Sequence, residues 1–207
     1  MKLKADFNHF KYPVSTTKDS FNDEALWTSF KTGNELALSM LYKNHVQRLY
    51  NYGMHTSRDH DMTVDCLQEL FFKLWQKRES IANVQSVKPY LFKAFRRLLI
   101  QEIVERRKEF ASSSNQAMAF EFMPSIESTL IEDELKAEQI KRLNLCIKSL
   151  TKGQREVIFL KFFNELSYQE IAEITEIQVD SVYNLVSKTI ELLRKKLQIT
   201  RPLFPLP

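Results

Sequence analysis

The sequence predicts an all-α protein of two small helical domains joined by a flexible acidic linker, with a helix-turn-helix in the second domain. Apolar residues recur at helical spacing through most of the 207 residues. Only three glycines occur, too few for a turn-dense β protein or a glycine-rich phosphate loop. A central segment without helical periodicity separates the two helical regions.

The first domain is predicted to span residues 20–108, after a flexible N-terminal arm at 1–19 that is polar and contains Pro13. Its first helix is expected to stop near Gly33, because glycine commonly follows the C-terminus of a helix. A second helix follows directly. Its apolar stripe consists of Leu38, Leu41, Tyr42, Val46, Leu49 and Tyr50.

The third helix contains "DCLQELFFKLW", residues 65–75, in which one phenyl ring lies off the apolar face. The apolar arc consists of Leu67, Leu70, Phe71, Leu74 and Trp75. Phe72 projects to the opposite side, among Asp65, Glu69 and Gln76. Two interpretations remain open at this point. The ring is an anchor for a partner protein, or it packs against a neighbouring helix of its own domain.

The fourth helix is strongly basic, since residues 88–108 hold seven Lys or Arg and two Glu. Pro89 suits its first turn. Cations interleaved with Tyr90, Phe92 and Phe95 are suited to hold phosphates while a ring stacks on an unpaired base. The alternative places the apolar residues in the core. We expect Phe92 and Phe95 in the core and the cations on nucleic acid.

Residues 109–133 are predicted to form the linker, and the second domain to span 134–200. The segment 110–135 contains five acidic residues and neither Lys nor Arg. Further on, "SYQE" at 167–170 forms a capping box, with Leu166 and Ile171 placed as a hydrophobic staple. This short helix and the basic helix after it indicate a helix-turn-helix. The tail at 201–207 holds three of the six prolines and cannot continue a helix.

The last helix has an apolar stripe and an opposite polar side. The polar side, with Tyr183 at its flank, includes Ser181, Asn184, Ser187 and Lys188. Short hydrogen-bonding side chains followed by cations suit the reading of base edges in a major groove together with phosphate contacts. A solvated polar face on a surface helix gives the same pattern, so both interpretations remain open.

No catalytic, metal or cofactor site is predicted. The segment "HTSRDHDMTVDC" contains His55, Asp59, His60, Asp61 and Cys66, but its spacing matches no standard zinc pattern, and we expect a polar loop between helices. No nucleophile-base arrangement or pair of carboxylates can be placed. Two cysteines without CxxC spacing and no signal-like N-terminus indicate a reduced, cytoplasmic protein. No apolar run approaches the ~20 residues of a membrane span.

Taken in order, four segments resemble the extracytoplasmic-function sigma factors of bacterial RNA polymerase, which belong to the sigma-70 family. "DEALWTSFKTGNELALSMLYKNHVQRLY" resembles their opening region and "DCLQELFFKLW" their polymerase-binding helix. "YLFKAFRRLLIQEI" resembles their promoter-melting helix, and "LTKGQREVIFLKFFNELSYQEIAEITEIQVDSVYNLVSKTIELLRKKL" their C-terminal domain. The similarity covers roughly residues 21–108 and 134–197.

The resemblance implies a sigma factor that binds core RNA polymerase and directs promoter-specific initiation. Residues 20–108 would be the region 2-like domain and 134–200 the region 4-like domain. It implies three binding surfaces. The polymerase surface is Asp65, Gln68, Glu69 and Phe72; the minus-ten surface is Tyr90, Lys93, Arg96, Arg97, Arg106 and Arg107; the minus-thirty-five surface is Ser181, Tyr183, Asn184, Ser187 and Lys188.

The implied partners are core RNA polymerase and promoter DNA, and an anti-sigma factor is a further candidate. No small-molecule substrate, cofactor, metal or membrane insertion is implied. Two rival hypotheses remain open from the sequence. One is a helix-turn-helix regulator that binds duplex DNA without being a polymerase subunit, and the other is a helical interaction protein with no DNA role.

The sequence departs from the family pattern at several positions. Arg97 stands where the melting helix usually has Asn, and Gln101 stands where Asp usually follows, which leaves the minus-ten base preference open. Thr151 replaces the usual Pro after Leu150. Glu176 lies where the turn of the helix-turn-helix usually has Gly. A positive φ at that position would cost about 1 kcal/mol for a residue with a side chain.

Overall fold

The computed structural model describes residues 20–109 and 142–197, and every regular element in these two ranges is helical. The helices are α1 (Ser20–Lys31), α2 (Glu35–Ser57), α3 (His60–Lys77), α4 (Val87–Glu109), α5 (142–148), α6 (Lys152–Ile158), α7 (Tyr168–Thr175) and α8 (Val179–Leu197), with a π-helical turn at Phe159–Phe163 between α6 and α7. The all-helical fold class is confirmed. The predicted arm, the tail at 201–207 and the linker after residue 109 lie outside the described residues.

Local signals set the ends of the first helices. Gly33 has a φ of 91°, a conformation that favours glycine, in the short turn between α1 and α2. The Asn34 side chain then caps α2 by accepting from the backbone NH groups of Leu36 and Ala37. Asp59 caps α3 in the same way through the NH of Met62. Each of these caps joins residues only two or three positions apart, so the starts of α2 and α3 follow directly from residue type.

The prediction of a polar loop across residues 55–66 is wrong, because most of these residues are helical. His55 lies in α2 and Cys66 lies inside α3, so that only Arg58 and Asp59 separate the two helices. Arg58 adopts a left-handed conformation, and its NH donates to the carbonyl of Met54, which closes α2. A single left-handed residue is enough to end one helix and aim the next.

The core of the N-terminal unit, α1 to α4, follows the predicted apolar stripes. On α3, Leu67, Leu70, Phe71 and Leu74 are buried and Trp75 is half-buried. On α4, Phe92 and Phe95 are fully buried. The prediction that these two rings belong to the core is therefore confirmed.

A buried polar pair that helical periodicity does not reveal ties α1 to α2. His45 Nε2 lies 2.7 Å from Asp23 Oδ2, and both residues are buried. Asn44 also donates to the Asp23 carboxylate, at 3.2 Å. Buried polar groups need such partners, and this network fixes how α1 lies on α2.

The C-terminal unit, α5 to α8, begins its short helices with two capping boxes. In the predicted one, Ser167 accepts from the NH of Glu170 while the Glu170 side chain accepts from the NH of Ser167, so the prediction is confirmed. Thr151 and Gln154 form a second box before α6. Thr151, present in place of the usual Pro, thus starts a helix by side-chain capping instead of by restricting φ.

The turn of the helix-turn-helix places Glu176 in a left-handed conformation, with φ 62°. The φ angle of Glu176 is therefore positive, and the expected steric cost of a side chain at this position applies. The backbone has the shape that a glycine would favour. After the turn, α8 buries its expected stripe. Val182, Val186, Ile190 and Leu193 are buried, and Leu185 is half-buried.

The two units pack against each other, which the sequence did not predict. Helix α4 lies against α7, and one continuous set of buried apolar residues extends from the N-terminal unit into the C-terminal unit. Tyr52 of α2 is fully buried in this interface, with its ring centroid 6.4 Å from that of Phe159. Burial of apolar side chains on both sides stabilises the closed arrangement.

Within 20–109 and 142–197, none of the helices combines the length and apolar character that crossing a bilayer would require.

Candidate functional site

The outward face of α3 carries the four residues predicted for polymerase binding. Asp65, Gln68, Glu69 and Phe72 are all exposed, on the side of the helix opposite its buried stripe. Phe72 is 54% exposed, so it does not pack into the core of its own unit. Glu69 pairs with Lys73 one turn away, at 3.0 Å. An exposed ring framed by carboxylates is therefore available to a partner on this face.

On α4, two of the residues predicted for the minus-ten surface instead bind carboxylates of the C-terminal unit. Arg96 Nε donates to Glu156 Oε1 at 2.8 Å. Arg97 Nε donates to Glu176 Oε1 at 3.1 Å, and a second guanidinium nitrogen of Arg97 donates to the same oxygen. Both pairs join residues far apart in the sequence, and both bridge the two units.

The Arg96–Glu156 pair is largely enclosed. The side chains are 20% and 16% exposed, and Tyr52 donates its hydroxyl to Glu156 at 2.7 Å. Burial acts to lower the pKa of Arg96, but the hydrogen bond and charge of Glu156 outweigh burial and raise that pKa above its usual value. Burial, together with the Glu156 charge, raises the pKa of the Tyr52 hydroxyl well above its usual value. Tyr52 therefore remains a neutral donor.

The Arg97–Glu176 pair lies closer to solvent, with side chains 63% and 49% exposed. The hydrogen bond from Arg97, aided by its charge, lowers the pKa of the Glu176 carboxyl below its usual value. Lys88, in the first turn of α4, donates to the backbone carbonyl of Asn164 across the same junction. Three basic side chains of α4 thus contact the C-terminal unit.

The remaining predicted minus-ten residues differ in their surroundings. Arg106 donates to Glu102 at 2.8 Å and to Asp59 at 3.1 Å, both within the N-terminal unit. The ring of Tyr90 packs edge-on to Trp27, with centroids 5.2 Å apart. Lys93 is half-buried, and the side chain of Arg107 lies outside the described residues. Helix α4 thus has a basic face, and several cations of that face bind carboxylates of the chain itself.

The polar side of α8 remains accessible in the closed arrangement. Ser181, Tyr183, Asn184 and Lys188 are exposed, and Ser187 is half-buried. The ring of Tyr183 meets that of Tyr168 of α7 edge-on, with centroids 5.4 Å apart. The five predicted readers thus lie together on one helix, on the side away from its buried stripe.

The candidate ligand side chains of the His- and Cys-containing segment are spread over α2, α3 and the short turn between them. Across the described parts of the chain, no three His, Cys, Asp or Glu side chains come together as metal ligands would. Burial, with a smaller contribution from the charge of Glu102, raises the pKa of the Cys66 thiol to about 11. A thiol with that pKa is protonated at neutral pH.

Sequence reasoning did not single out Glu156, Tyr52 or Lys88, and it noted Glu176 only as a turn residue. Each makes a hydrogen bond to a residue at least 60 positions away in the sequence. Helical periodicity predicts on which side of a helix a residue lies, but it does not predict which distant helix that side contacts. The contrast between basic α4 and α7, whose only charged residues are Glu170 and Glu173, is the sequence signal that could have suggested contact between these two helices.

Two family models match the chain, one for each unit. The model described as Sigma-70 region 2 matches residues 41–109, and the model described as Sigma-70, region 4 matches residues 140–193. Both regions of one family thus occur in the expected order and together cover more than half of the chain. The chain belongs to the extracytoplasmic-function group of the sigma-70 family.

Curated relatives in the sigma-70 family match most of the chain at low identity. The ECF RNA polymerase sigma factor SigX of Bacillus subtilis (strain 168) is 22% identical over 169 residues, which are 81% of this chain and 87% of the relative. The RNA polymerase sigma factor SigV of the same strain is 25% identical over 158 residues, 76% of this chain and 88% of the relative.

Solved sigma factor structures share the fold. The sigma factor RpoE in complex with the anti-sigma factor NepR from Bartonella quintana aligns with a TM-score of 0.60 at 20% identity, covering 79% of this chain and 98% of that one. CnrH in complex with the cytosolic domain of CnrY aligns with a TM-score of 0.58 at 17% identity, covering 86% and 99%.

As a sigma factor, the chain directs promoter-specific transcription initiation with core RNA polymerase and promoter DNA as its partners. The rival hypothesis of a duplex-binding regulator is not favoured, because a helix-turn-helix alone does not account for the region 2 match. Sigma factors are initiation factors and not enzymes.

Proposed function

We propose that the chain docks on core polymerase through the outward face of α3, with Phe72 as the anchor and Asp65, Gln68 and Glu69 around it. The observation that carries this proposal is the exposed phenyl ring set among acidic and amide side chains, on a helix whose other side is buried. Aromatic residues framed by polar ones are enriched among the residues that dominate binding energy at interfaces.

The promoter contacts divide between the two units. Helix α4 provides the cations and the ring for single-stranded minus-ten DNA, where phosphate contacts give affinity and base stacking holds the strand. The polar side of α8 enters the major groove of the minus-thirty-five element, with Asn184, Ser187 and Lys188 as the central readers. Arg97 on α4 gives this chain a bidentate donor where the family usually has an amide, which favours a minus-ten preference of its own.

Because polymerase performs the nucleotide chemistry, the chain itself needs no catalytic residue and no cofactor. It acts in the cytoplasm, where core polymerase and the chromosome are. The solved relative RpoE is bound by an anti-sigma factor, and we include an anti-sigma factor among the partners of this chain.

Substitution of Phe72 by Ala tests the docking face. We expect Phe72→Ala to weaken binding to bacterial core polymerase at least about tenfold, in keeping with the loss of an interface anchor. Thermal unfolding should be unchanged, since the ring lies outside the core. Binding is measured by fluorescence anisotropy of the labelled chain, and activity by promoter-specific transcripts from genomic fragments.

Phe163→Ala is the matched control, because it removes a phenyl ring that is 53% exposed on the C-terminal unit. It should bind core polymerase as the unaltered chain does. If Phe72→Ala bound core polymerase as tightly as Phe163→Ala and the unaltered chain, the docking face would be refuted. A fall of about 3 kcal/mol in the unfolding free energy of Phe72→Ala would assign the ring to the core instead.

A further inference from the structure

Two aromatic rings from different helices meet at the edge of the polar side of α8. Tyr183 lies one turn before Ser187, and its side chain is 46% exposed. Its ring contacts that of Tyr168, with the ring planes at 65°. Tyr168 is the first residue of α7, directly after the N-cap Ser167, so a capped helix start fixes its backbone. A neighbour on α7 therefore holds the Tyr183 ring beside the predicted readers.

Lys161, in the π-helical turn before α7, contacts the ring of Tyr168 in turn. Its Nζ lies 4.4 Å from the centroid of that ring, within the roughly 6 Å over which an aromatic face attracts a cation. The same ammonium group donates to the backbone carbonyl of Leu166 at 3.3 Å. One connected set of contacts thus extends from the π-helical turn through Tyr168 to Tyr183 on α8.

These contacts restrict the conformation of Tyr183. A surface tyrosine without neighbours samples several rotamers, and ordering such a side chain on DNA costs conformational entropy. Edge-on packing of two aromatic rings favours one arrangement of the pair. Contact with Tyr168 therefore selects a conformation of Tyr183 before DNA binds, and more of the contact energy is then available to distinguish bases.

The chemistry of the Tyr183 ring indicates which base it suits. Its neighbours Asn184, Ser187 and Lys188 offer hydrogen-bonding groups, whereas the ring offers an apolar surface. On the base edges of the major groove, hydrogen-bond donors and acceptors accompany one apolar group, the C5-methyl group of thymine. An apolar ring beside the polar readers therefore matches thymine.

We propose that the Tyr183 ring contacts the methyl group of a thymine in the minus-thirty-five element, and that Tyr168, held by Lys161, is a positioning residue for this contact. This rests on the proposed function, because it concerns the same side of α8. Tyr183 is the residue that touches the base. Tyr168 and Lys161 act through it, by fixing where the ring lies.

The test uses the full chain with bacterial core polymerase, on a promoter mapped by reconstituted transcription. A library of barcoded templates with the minus-thirty-five element randomised identifies the position at which Tyr183→Ala removes a preference for thymine. Deoxyuridine then replaces thymine at that position, because it lacks the C5-methyl group and keeps the hydrogen-bonding groups. The measured quantity is the transcript yield from the thymine template divided by that from the deoxyuridine template. Loss of folded protein cancels in this ratio.

We expect a ratio of about four for the unaltered chain, which is the effect of losing one buried methyl group. Tyr183→Ala and Tyr168→Ala should each abolish the difference between the two templates. Tyr168→Phe should restore the ratio of the unaltered chain, because the packing and the cation contact need the ring and not its hydroxyl group.

Tyr50→Ala is the matched control. Tyr50 of α2 is also half-buried, and its ring meets that of His60 edge-on, with centroids 5.8 Å apart. This variant loses a packed tyrosine far from α8 in the sequence and should keep the ratio of the unaltered chain. A ratio that fell equally in Tyr50→Ala and Tyr168→Ala would overturn the positioning role.

Lys161→Met keeps the test decisive if Tyr168→Ala loses its helical circular dichroism, because it removes the cation and leaves both rings in place. Its ratio should fall to about two, in keeping with a cation–π contact near the surface. An unchanged ratio in Lys161→Met and in a folded Tyr168→Ala would overturn the positioning role. If Tyr183→Ala kept every thymine preference of the unaltered chain, the methyl contact would be overturned. A library without any base preference in the minus-thirty-five element would refute the proposed reading by α8 itself.

Discussion

At the scale of single residues, Gly53 sets how closely α2 approaches its neighbours. A Cβ placed on Gly53 would lie 2.5 Å from Cγ2 of Thr63 and 3.1 Å from two ring atoms of Phe95. Thr63 and Phe95 are fully buried, so neither side chain can move aside into solvent. We expect Gly53→Ala to lower the unfolding free energy by about 1–3 kcal/mol through overpacking, measured by urea unfolding followed by circular dichroism.

Gly153→Ala is the matched control for that prediction. Gly153 lies in helix α6, is exposed, and a Cβ there would find its nearest neighbour, Cδ2 of Leu185, at an ordinary 3.9 Å. Alanine favours helix over glycine, so this change should stabilise the chain by up to about 1 kcal/mol. A Gly53→Ala protein as stable as Gly153→Ala would contradict the packing described for α2.

Residue identity predicted some contacts and not others. Ser167 and Glu170 are three positions apart, and their capping box follows from residue type and spacing alone. Asp23 and His45 are 22 positions apart, and Arg97 and Glu176 are 79 apart. Sequence reasoning placed Arg97 on a face and Glu176 in a turn, but it had no physical rule that brings the two together.

At the scale of elements, the turn between α7 and α8 has a left-handed backbone at Glu176, which a residue with a side chain adopts only at a steric cost. Comparison of Glu176→Gly with Glu176→Gln separates this steric cost from the loss of the contact with Arg97. Both variants remove the carboxylate that Arg97 contacts, but only Gly adopts a φ of 62° without steric cost. We expect Glu176→Gly to exceed Glu176→Gln in unfolding free energy by about 1 kcal/mol, measured by urea unfolding under identical buffer conditions.

Equal stability of these two variants would mean that the turn relaxes when the side chain changes. The backbone conformation would then be a consequence of the Arg97 contact and not of the helix-turn-helix itself. In either case the capping box of α7, which lies at the opposite end of that helix, should be unaffected, because Ser167 and Glu170 satisfy each other locally.

Helix boundaries and buried stripes were the most predictable elements. The α8 stripe of Val182, Val186, Ile190 and Leu193 follows from a period of 3.6 residues, and all four side chains are buried. The connection between α2 and α3 was less predictable. Polar residues between His55 and Cys66 indicated a loop, yet tertiary burial of Thr56, Met62 and Thr63 keeps these positions helical.

At the scale of the whole molecule, the sequence predicted two helical domains but not their packing. Each domain has its own amphipathic pattern, whereas the packing depends on Tyr52, Phe159 and the two arginine–carboxylate pairs, which come from distant segments. The order of the polymerase-binding, melting and helix-turn-helix segments was enough to identify the family. The state of the minus-ten surface in the free chain required the three-dimensional arrangement.

Because α3 is proposed to bind polymerase and α8 to read promoter DNA, substitutions should separate these two activities in the whole chain. Asn184→Ala/Ser187→Ala/Lys188→Ala removes the central readers of α8, which lie away from its buried stripe, so the fold and α3 should be preserved. We expect binding to core polymerase to stay at the level of the unaltered chain. Promoter-specific transcripts should fall at least about tenfold, because each base-edge contact contributes roughly 1–3 kcal/mol to discrimination. Reconstituted transcription with sequencing of the start sites measures this loss.

Phe72→Ala should give the opposite pattern, and the two variants therefore serve as controls for each other. Because Phe72 lies on α3 and Asn184 on α8, loss at one surface should not disturb the other. Once enough polymerase is added to saturate the weakened docking face, Phe72→Ala should start transcripts at the same sites as the unaltered chain. The α8 variant should not recover at any polymerase concentration, because its defect lies in promoter choice. If both variants lost polymerase binding, the two surfaces would not be separate, and docking would involve the C-terminal unit as well as α3.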